Sequence, residues 1–288
     1  GMPYGLSKTS PPDDEVCIRL LQHAVDRGVT YIDTAAAYGR SEELIGRAFA
    51  GRTRPVIATK VTLRDADGTP WTGARMTTEI RASIDRSRRL LGTDTLDLVQ
   101  IHNAEAVIAR DTNLTEAMEA HVQAGAVRHW GASTYGEQAP MAVIDCGPPL
   151  CTLQVAFSVL DRRLEEQVIP ACIRSGIGLV LRSVFLQGVL SERRHTLPEH
   201  LRELREAANA VARVADGLGL PVPAVGLRFA LFEAGAQVAL VGTADMAELD
   251  ININAAVAGP LPRDAVQALR RIEVTDKRLL NPGTWPVP

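Results

Sequence analysis

Apolar residues along this chain fall into short unbroken runs, separated by longer stretches in which they recur every three or four positions. The runs at residues 30–34, 56–61, 96–102, 127–133, 153–158, 178–184 and 238–241 read as strands. The periodic stretches at 14–27, 77–91, 115–123, 165–175, 199–215 and 223–234 read as amphipathic helices between them. Five glycines, Gly28, Gly92, Gly125, Gly176 and Gly235, stand between the end of a helical stretch and the next strand. Each predicts a left-handed stop, so one strand-helix unit is being repeated. Runs such as VIATKV and LDLVQIH are continuously apolar rather than alternating, as in parallel strands covered on both faces.

Strand-helix alternation at this length predicts an α/β fold, either a doubly wound sheet or a (β/α)8 TIM barrel. A dinucleotide fold would show G-x-G-x-x-G after a strand. The nearest approaches, Gly176-Ile-Gly178 and Gly217-Leu-Gly219, lack the third glycine and precede strands. With no proline- or serine-rich linker to divide the chain, the reading is one barrel domain over residues 1–288. Seven strands are visible where eight are needed. The first is therefore expected to be truncated or missing, with only Gly1 to Gly5 ahead of the first helix, and Gly1-Met2 reads as a cleavage scar before an initiator methionine.

Charge narrows the partners. Lys and Arg number 31 against 34 Asp and Glu, which excludes a nucleic acid or a membrane surface as the main partner. Four cysteines, Cys17, Cys146, Cys151 and Cys172, match no zinc or redox spacing, and no apolar run reaches membrane length, so a cytoplasmic protein is expected. Oligomeric state leaves no trace in the sequence.

In a parallel barrel the strand C-termini converge on one face, and there this chain places Asp33, then Tyr38, Lys60 and His102. Lysine is otherwise avoided, occurring only as Lys8, Lys60 and Lys277, yet one sits inside VIATKV. A buried ammonium needs a carboxylate, and Asp33 on the adjacent strand supplies it. Tyr38 follows in a loop that turns at Gly39, with Ser41 expected to cap the next helix. Taken singly these residues read as a structural ion pair, a packing tyrosine and a core histidine. Together they suit proton delivery to a carbonyl oxygen, because an ammonium beside a phenol favours the phenolate. None of the four supplies hydride, so a nicotinamide cofactor is implied. A metal-dependent hydrolase barrel needs more strand-end ligands than Asp33 and His102.

The segments DTAAAYGRSEELIG, IATKV, VQIHN, WGAST, LQVAFSVLDRR and LVGTADMAELDININAA, in this order, resemble the aldo-keto reductase family over residues 3–285. That resemblance implies a (β/α)8 barrel and NAD(P)H-dependent reduction of a small-molecule aldehyde or ketone, or the reverse oxidation. It implies Tyr38 as general acid supported by Asp33, Lys60 and His102, and Ser133 and Gln154 holding the nicotinamide carboxamide. It also places Ser183 and Asn252 among the cofactor contacts and sets Gly242 and Thr243 against the adenosine phosphate. RSVFLQGVL, with MPYGLS near the start, is similar to a bacterial branch associated with sugar-nucleotide or surface-polysaccharide genes, which points to a sugar substrate.

Four departures modify the picture. Thr134 stands where most members have asparagine beside the carboxamide serine. Arg182 stands where many stack an aromatic ring on the nicotinamide, so it is expected either to grip an anionic substrate or to pair with a barrel carboxylate. Gly242 and Glu248 replace the lysine and arginine of NADP-preferring members, which predicts an NAD preference. The missing first strand and altered contacts motivate an alternative function, a catalytically weak nicotinamide-binding barrel serving as a regulatory or scaffold subunit. Residues 202–213 read as a solvated charged face, and Trp285 as a docked tail.

Overall fold

The computed structural model describes residues 13–65, 67–105, 110–147 and 149–285. The expectations for Gly1 to Gly5 lie outside them. The described chain divides into two compact units, residues 13–155 with 166–179, and residues 156–165 with 180–285.

The first unit alternates helix and strand: α1 (Asp14–Asp26), β1 (Tyr31–Asp33), α2 (Ser41–Ala48), β2 (Val56–Thr62), α3 (Gly73–Leu91), β3 (Leu96–His102), α4 (Thr112–Gln123), β4 (Val127–Ser133), α5 (Gln138–Asp145), β5 (Thr152–Ala156), α6 (Val168–Arg174) and the first residues of β6 (Gly178–Arg182). The strands β1 to β5 pair parallel in sequence order. The Gly178 N–H donates to the Cys151 carbonyl at 2.9 Å, setting the start of β6 beside β5. Asp13 caps α1 by accepting from the Glu15 N–H, and α3 buries Met76, Ile80, Ile84 and Leu91 as one apolar stripe. All five predicted helix-ending glycines are left-handed, with φ from +59° to +97°.

The serine expected to cap α2 does not do so. Arg40 occupies the cap position without a side-chain capping bond, its guanidinium going to Glu43 and Asp14. Ser41 lies inside the first turn, where its Oγ instead accepts from Thr34 Oγ1 at 2.8 Å. The run predicted as 153–158 ends at Ala156, because Ser158 and Asp161 exchange backbone hydrogen bonds in a turn. Likewise the run 178–184 ends at Arg182, since Ser183 takes φ +59°.

Two glycines serve close approach. A Cβ at Gly131 in β4 would overlap the Thr152 Oγ1 and carbonyl oxygen of β5. One at Gly46 in α2 would overlap the Leu90 carbonyl oxygen of α3, so the two helices meet backbone to backbone. Gly46→Ala is therefore expected to cost roughly 2–3 kcal/mol through overpacking and lower Tm by several degrees. A circular-dichroism melt coinciding with that of the native protein would show that the helices separate freely.

In the second unit the end of β6 pairs parallel with β7 (Val238–Ala239), Val180 opposite Val238. Four helices accompany it: α7 (Arg202–Gly217), α8 (Val222–Glu233), α9 (Met246–Val257) and α10 (Arg263–Arg270). α7 buries Leu204, Ala207, Ala208, Val211 and Ala212 and turns Arg202, Glu206 and Arg213 to solvent, as its sequence predicts. The Trp285 indole donates to the Leu279 carbonyl at 2.9 Å, docking the tail. Among the described residues no single helix is long and apolar enough to cross a membrane.

Candidate active site

The first unit gathers seven of the predicted site residues. Asp33 ends β1 opposite Ala58 of β2, and Lys60 is the next residue of β2 with the same facing, so its stem leads back to the carboxylate. Lys60 Nζ donates to Asp33 Oδ2 at 2.5 Å and to the Thr34 carbonyl at 2.8 Å, with its side chain 1% exposed. An ammonium this deeply buried remains charged only because a carboxylate and a carbonyl replace its hydration. Asp33 is held from its other side as well, Gln154 Nε2 of β5 donating to Oδ1 at 2.8 Å.

Tyr38 stands beside this pair. Lys60 Nζ lies 5.3 Å from its ring centroid. The His102 ring meets it edge-on, with centroids 5.8 Å apart and planes at 82°. Thr62, opposite His102 in the sheet, brings Oγ1 to 3.5 Å from His102 Nδ1. Ser133 and Gln154 are opposite one another on β4 and β5, both buried, and Ser133 Oγ donates to Gln154 Oε1 at 3.2 Å. Thr134 is buried and its N–H donates to the Gln154 carbonyl at 3.0 Å. Hydrogen bonds thus run from Ser133 through Gln154 and Asp33 to Lys60.

Asn103, directly after His102, is left-handed at φ +56°, a conformation that costs a non-glycine residue about 1 kcal/mol or more. Tyr31 begins β1 with its hydroxyl buried and unpartnered. Burial, aided by Asp33, raises its pKa above the ordinary tyrosine value, so this second phenol stays protonated.

The sequence gives no sign of Glu42. Its carboxylate is 1% exposed and accepts from the Thr59 hydroxyl at 2.5 Å. Thr59 adjoins Lys60 on β2, and Lys60 holds the Thr34 carbonyl, so both ends of the Tyr38 loop are fastened to one strand. Continuing the strand's alternation from Lys60 would have located Thr62 in advance. Glu42 reads instead as one of two acids in an exposed first turn.

The other six predicted residues lie in the second unit. Arg182 Nη1 donates to Ser183 Oγ at 3.2 Å. Thr243 Oγ1 donates to Glu248 Oε2 at 2.5 Å, and Asp245 caps α9 by accepting from the Glu248 N–H at 3.0 Å. Gly242 precedes this acidic turn. Asn252 is buried on α9 with an unpartnered Oδ1.

The family model for the aldo/keto reductase family matches residues 2–274. The chain belongs to that family. It is 28% identical over 268 residues to the uncharacterized oxidoreductase YqkF of Bacillus subtilis, covering 88% of this chain and 86% of the relative. Aldo-keto reductase AKR11C1 of Bacillus halodurans, in its holo form, superposes with a TM-score of 0.78 at 24% identity, covering 93% of this chain and 92% of that one. An aldo/keto reductase of Klebsiella pneumoniae, solved with NADP and acetate, gives 0.71 at 24% identity over 90% and 85%. The reductase therefore has the (β/α)8 barrel fold its alternating elements predict. It is an NAD(P)-dependent oxidoreductase acting on small-molecule carbonyl compounds.

Proposed function

We propose that this reductase, working as a single domain over residues 1–288, reduces an aldehyde or ketone, or oxidises the matching alcohol, with Tyr38 as general acid and base. The observation that carries the reading is the sealed Lys60 ammonium, bonded to Asp33 and set 5.3 Å from the Tyr38 ring. A free phenol loses its proton only near pH 10. A fixed positive charge beside it favours the phenolate, so the proton leaves more readily for a carbonyl oxygen. His102, edge-on to the phenol, orients that oxygen. Reduced nicotinamide, when bound, supplies hydride to the carbonyl carbon. In the reduction direction the Tyr38 O–H bond breaks as the alcohol O–H forms, and solvent reprotonates the phenolate.

The residues present fit a nicotinamide. Ser133 and Gln154 form a buried hydroxyl-amide pair, bonded to the carboxylate that holds Lys60, and this donor and acceptor set suits a carboxamide. Thr134 follows Ser133 directly after β4. In the second unit, taken by itself, the resemblance assigns cofactor contacts to Arg182, Ser183, Gly242, Thr243 and Asn252, whose Oδ1 is buried and unpartnered. None of the four cysteines is in a disulfide, which accords with a reducing, cytoplasmic setting. No observation favours a regulatory or scaffold role. Loss of reduced nicotinamide absorbance on adding 4-nitrobenzaldehyde tests the assignment, and no turnover with either cofactor would refute it.

NADH is expected to bind more tightly than NADPH. Glu248 and Asp245 place two carboxylates at the first turn of α9, where the resemblance sets the adenosine, and a 2′-phosphate there meets like charge. The difference should be about tenfold in Kd, or ~1.4 kcal/mol. Quenching of intrinsic fluorescence on titration measures it, and tighter NADPH binding overturns the preference.

A further inference from the structure

We propose that Arg64 anchors a carboxylate or phosphate of the carbonyl substrate, and that Glu105 occupies this anchor as an internal stand-in until such a substrate displaces it. The inference rests on the reductase reading above and names the substrate class of that site.

Arg64 faces the Tyr38 side of the sheet. From the end of β2 outward burial alternates: Val61 and Leu63 are 1% and 0% exposed, while Thr62 and Arg64 are half-buried. The alternation that aims Lys60 at Asp33 and Thr62 at His102 therefore continues to Arg64. Two residues of extended chain place Arg64 about 7 Å beyond the His102 level. That is the span from a carbonyl oxygen to a negative group a few bonds away.

The guanidinium is already positioned. Its Nη1 donates to the Gly68 carbonyl at 2.9 Å, and the backbone bridges Pro70. Nη2 meets Glu105 Oε1 at 2.7 Å as an ion pair, yet this solvent-sealed nitrogen makes no hydrogen bond of good geometry. Its N–H groups are thus left for a better-placed acceptor, and a guanidinium fork matches carboxylate or phosphate oxygens two at a time. The occupant can be exchanged, because the Glu105 side chain is 60% exposed and its carboxylate regains water when it leaves. The two acids of this loop are already committed: Asp65 accepts from Trp71 Nε1 at 2.9 Å and from Arg75 Nη2 at 2.5 Å, and Asp67 accepts from the Thr69 N–H at 3.0 Å. Glu105 is therefore what neutralises Arg64.

The test compares 4-carboxybenzaldehyde with its neutral near-isostere 4-nitrobenzaldehyde. In Arg64→Ala, KM for the carboxylate substrate should rise about tenfold or more, and that for the nitro substrate should stay within about twofold. In Glu105→Gln, an exposed change with no cost to folding, KM for the carboxylate substrate should fall several-fold. If Arg64→Ala slows both aldehydes equally, or Glu105→Gln leaves the carboxylate KM unchanged, the anchor is refuted while the reductase reading stands. If the native enzyme reduces neither aldehyde, both fall together.

Discussion

Tyr38→Phe is expected to lower kcat by about 10²–10⁴-fold, the range for a lost proton donor, while KM and cofactor affinity change little. The substitution deletes one oxygen from a half-buried ring in a loop. The Lys60 ammonium keeps Asp33 Oδ2 and the Thr34 carbonyl as acceptors, so the surrounding charge arrangement survives. What disappears is the hydroxyl that closes the reaction's proton balance, and water offers no fixed replacement at that position. Steady-state rates with 4-nitrobenzaldehyde, beside an unchanged melting profile, provide the comparison. Retention of more than about a tenth of native kcat would move the proton donor elsewhere, because general acid catalysis accounts for at least two orders of magnitude.

Lys60→Met should damage stability and turnover together. Removing the ammonium leaves the Asp33 carboxylate, 15% exposed, held by the Gln154 amide, and breaking a buried pair on one side costs about 3–5 kcal/mol. The double variant Lys60→Met/Asp33→Leu separates the two consequences. With both charges gone, stability should return most of the way to native, since matched removal of a buried ion pair is often neutral. Turnover should stay as low as in Tyr38→Phe, because the phenol has lost the charge that favours its ionised form. Urea denaturation and kcat measured on the same preparations decide the matter. A double variant as unstable as the single one would show that the pair is not what holds β1 to β2 here.

The candidate cluster was readable because Asp33, Lys60 and His102 interrupt apolar strands near their C-terminal ends, which share a face in a parallel sheet, and Tyr38 follows in the loop after the first of them. Lys60 stood out further through the scarcity of lysine. Short elements were harder to see. α5 and α10 have eight residues each, too few for a helical period to emerge, and α9 buries only Leu249, Asn252 and Ala255 of its twelve. Ser41 shows how local signals mislead: serine before an acidic first turn is a capping pattern, yet a partner seven residues back, Thr34, claims its hydroxyl. Glu42 with Thr59 and Arg64 with Glu105 were hidden for a related reason. Each pair joins residues 17 or more apart, and nothing in composition or periodicity marks such partners. Cofactor-side assignments came from family likeness alone: Ser133, Gln154 and Arg182 sit on strands and Glu248 and Asn252 on α9, where no period marks them, and Ser183, Gly242 and Thr243 sit in loops that have none.

The sealing of Lys60 has a practical corollary for handling the enzyme. Of the three lysines in the sequence, it is the one to which the proposed mechanism assigns a part in turnover, and solvent scarcely touches it. Lys277, on the exposed surface, is open to acylating reagents. Dyes, cross-linkers and activated resins that attack amines are therefore expected to react at Lys277 before Lys60, and on the proposed role of Lys60 such preparations should keep their turnover.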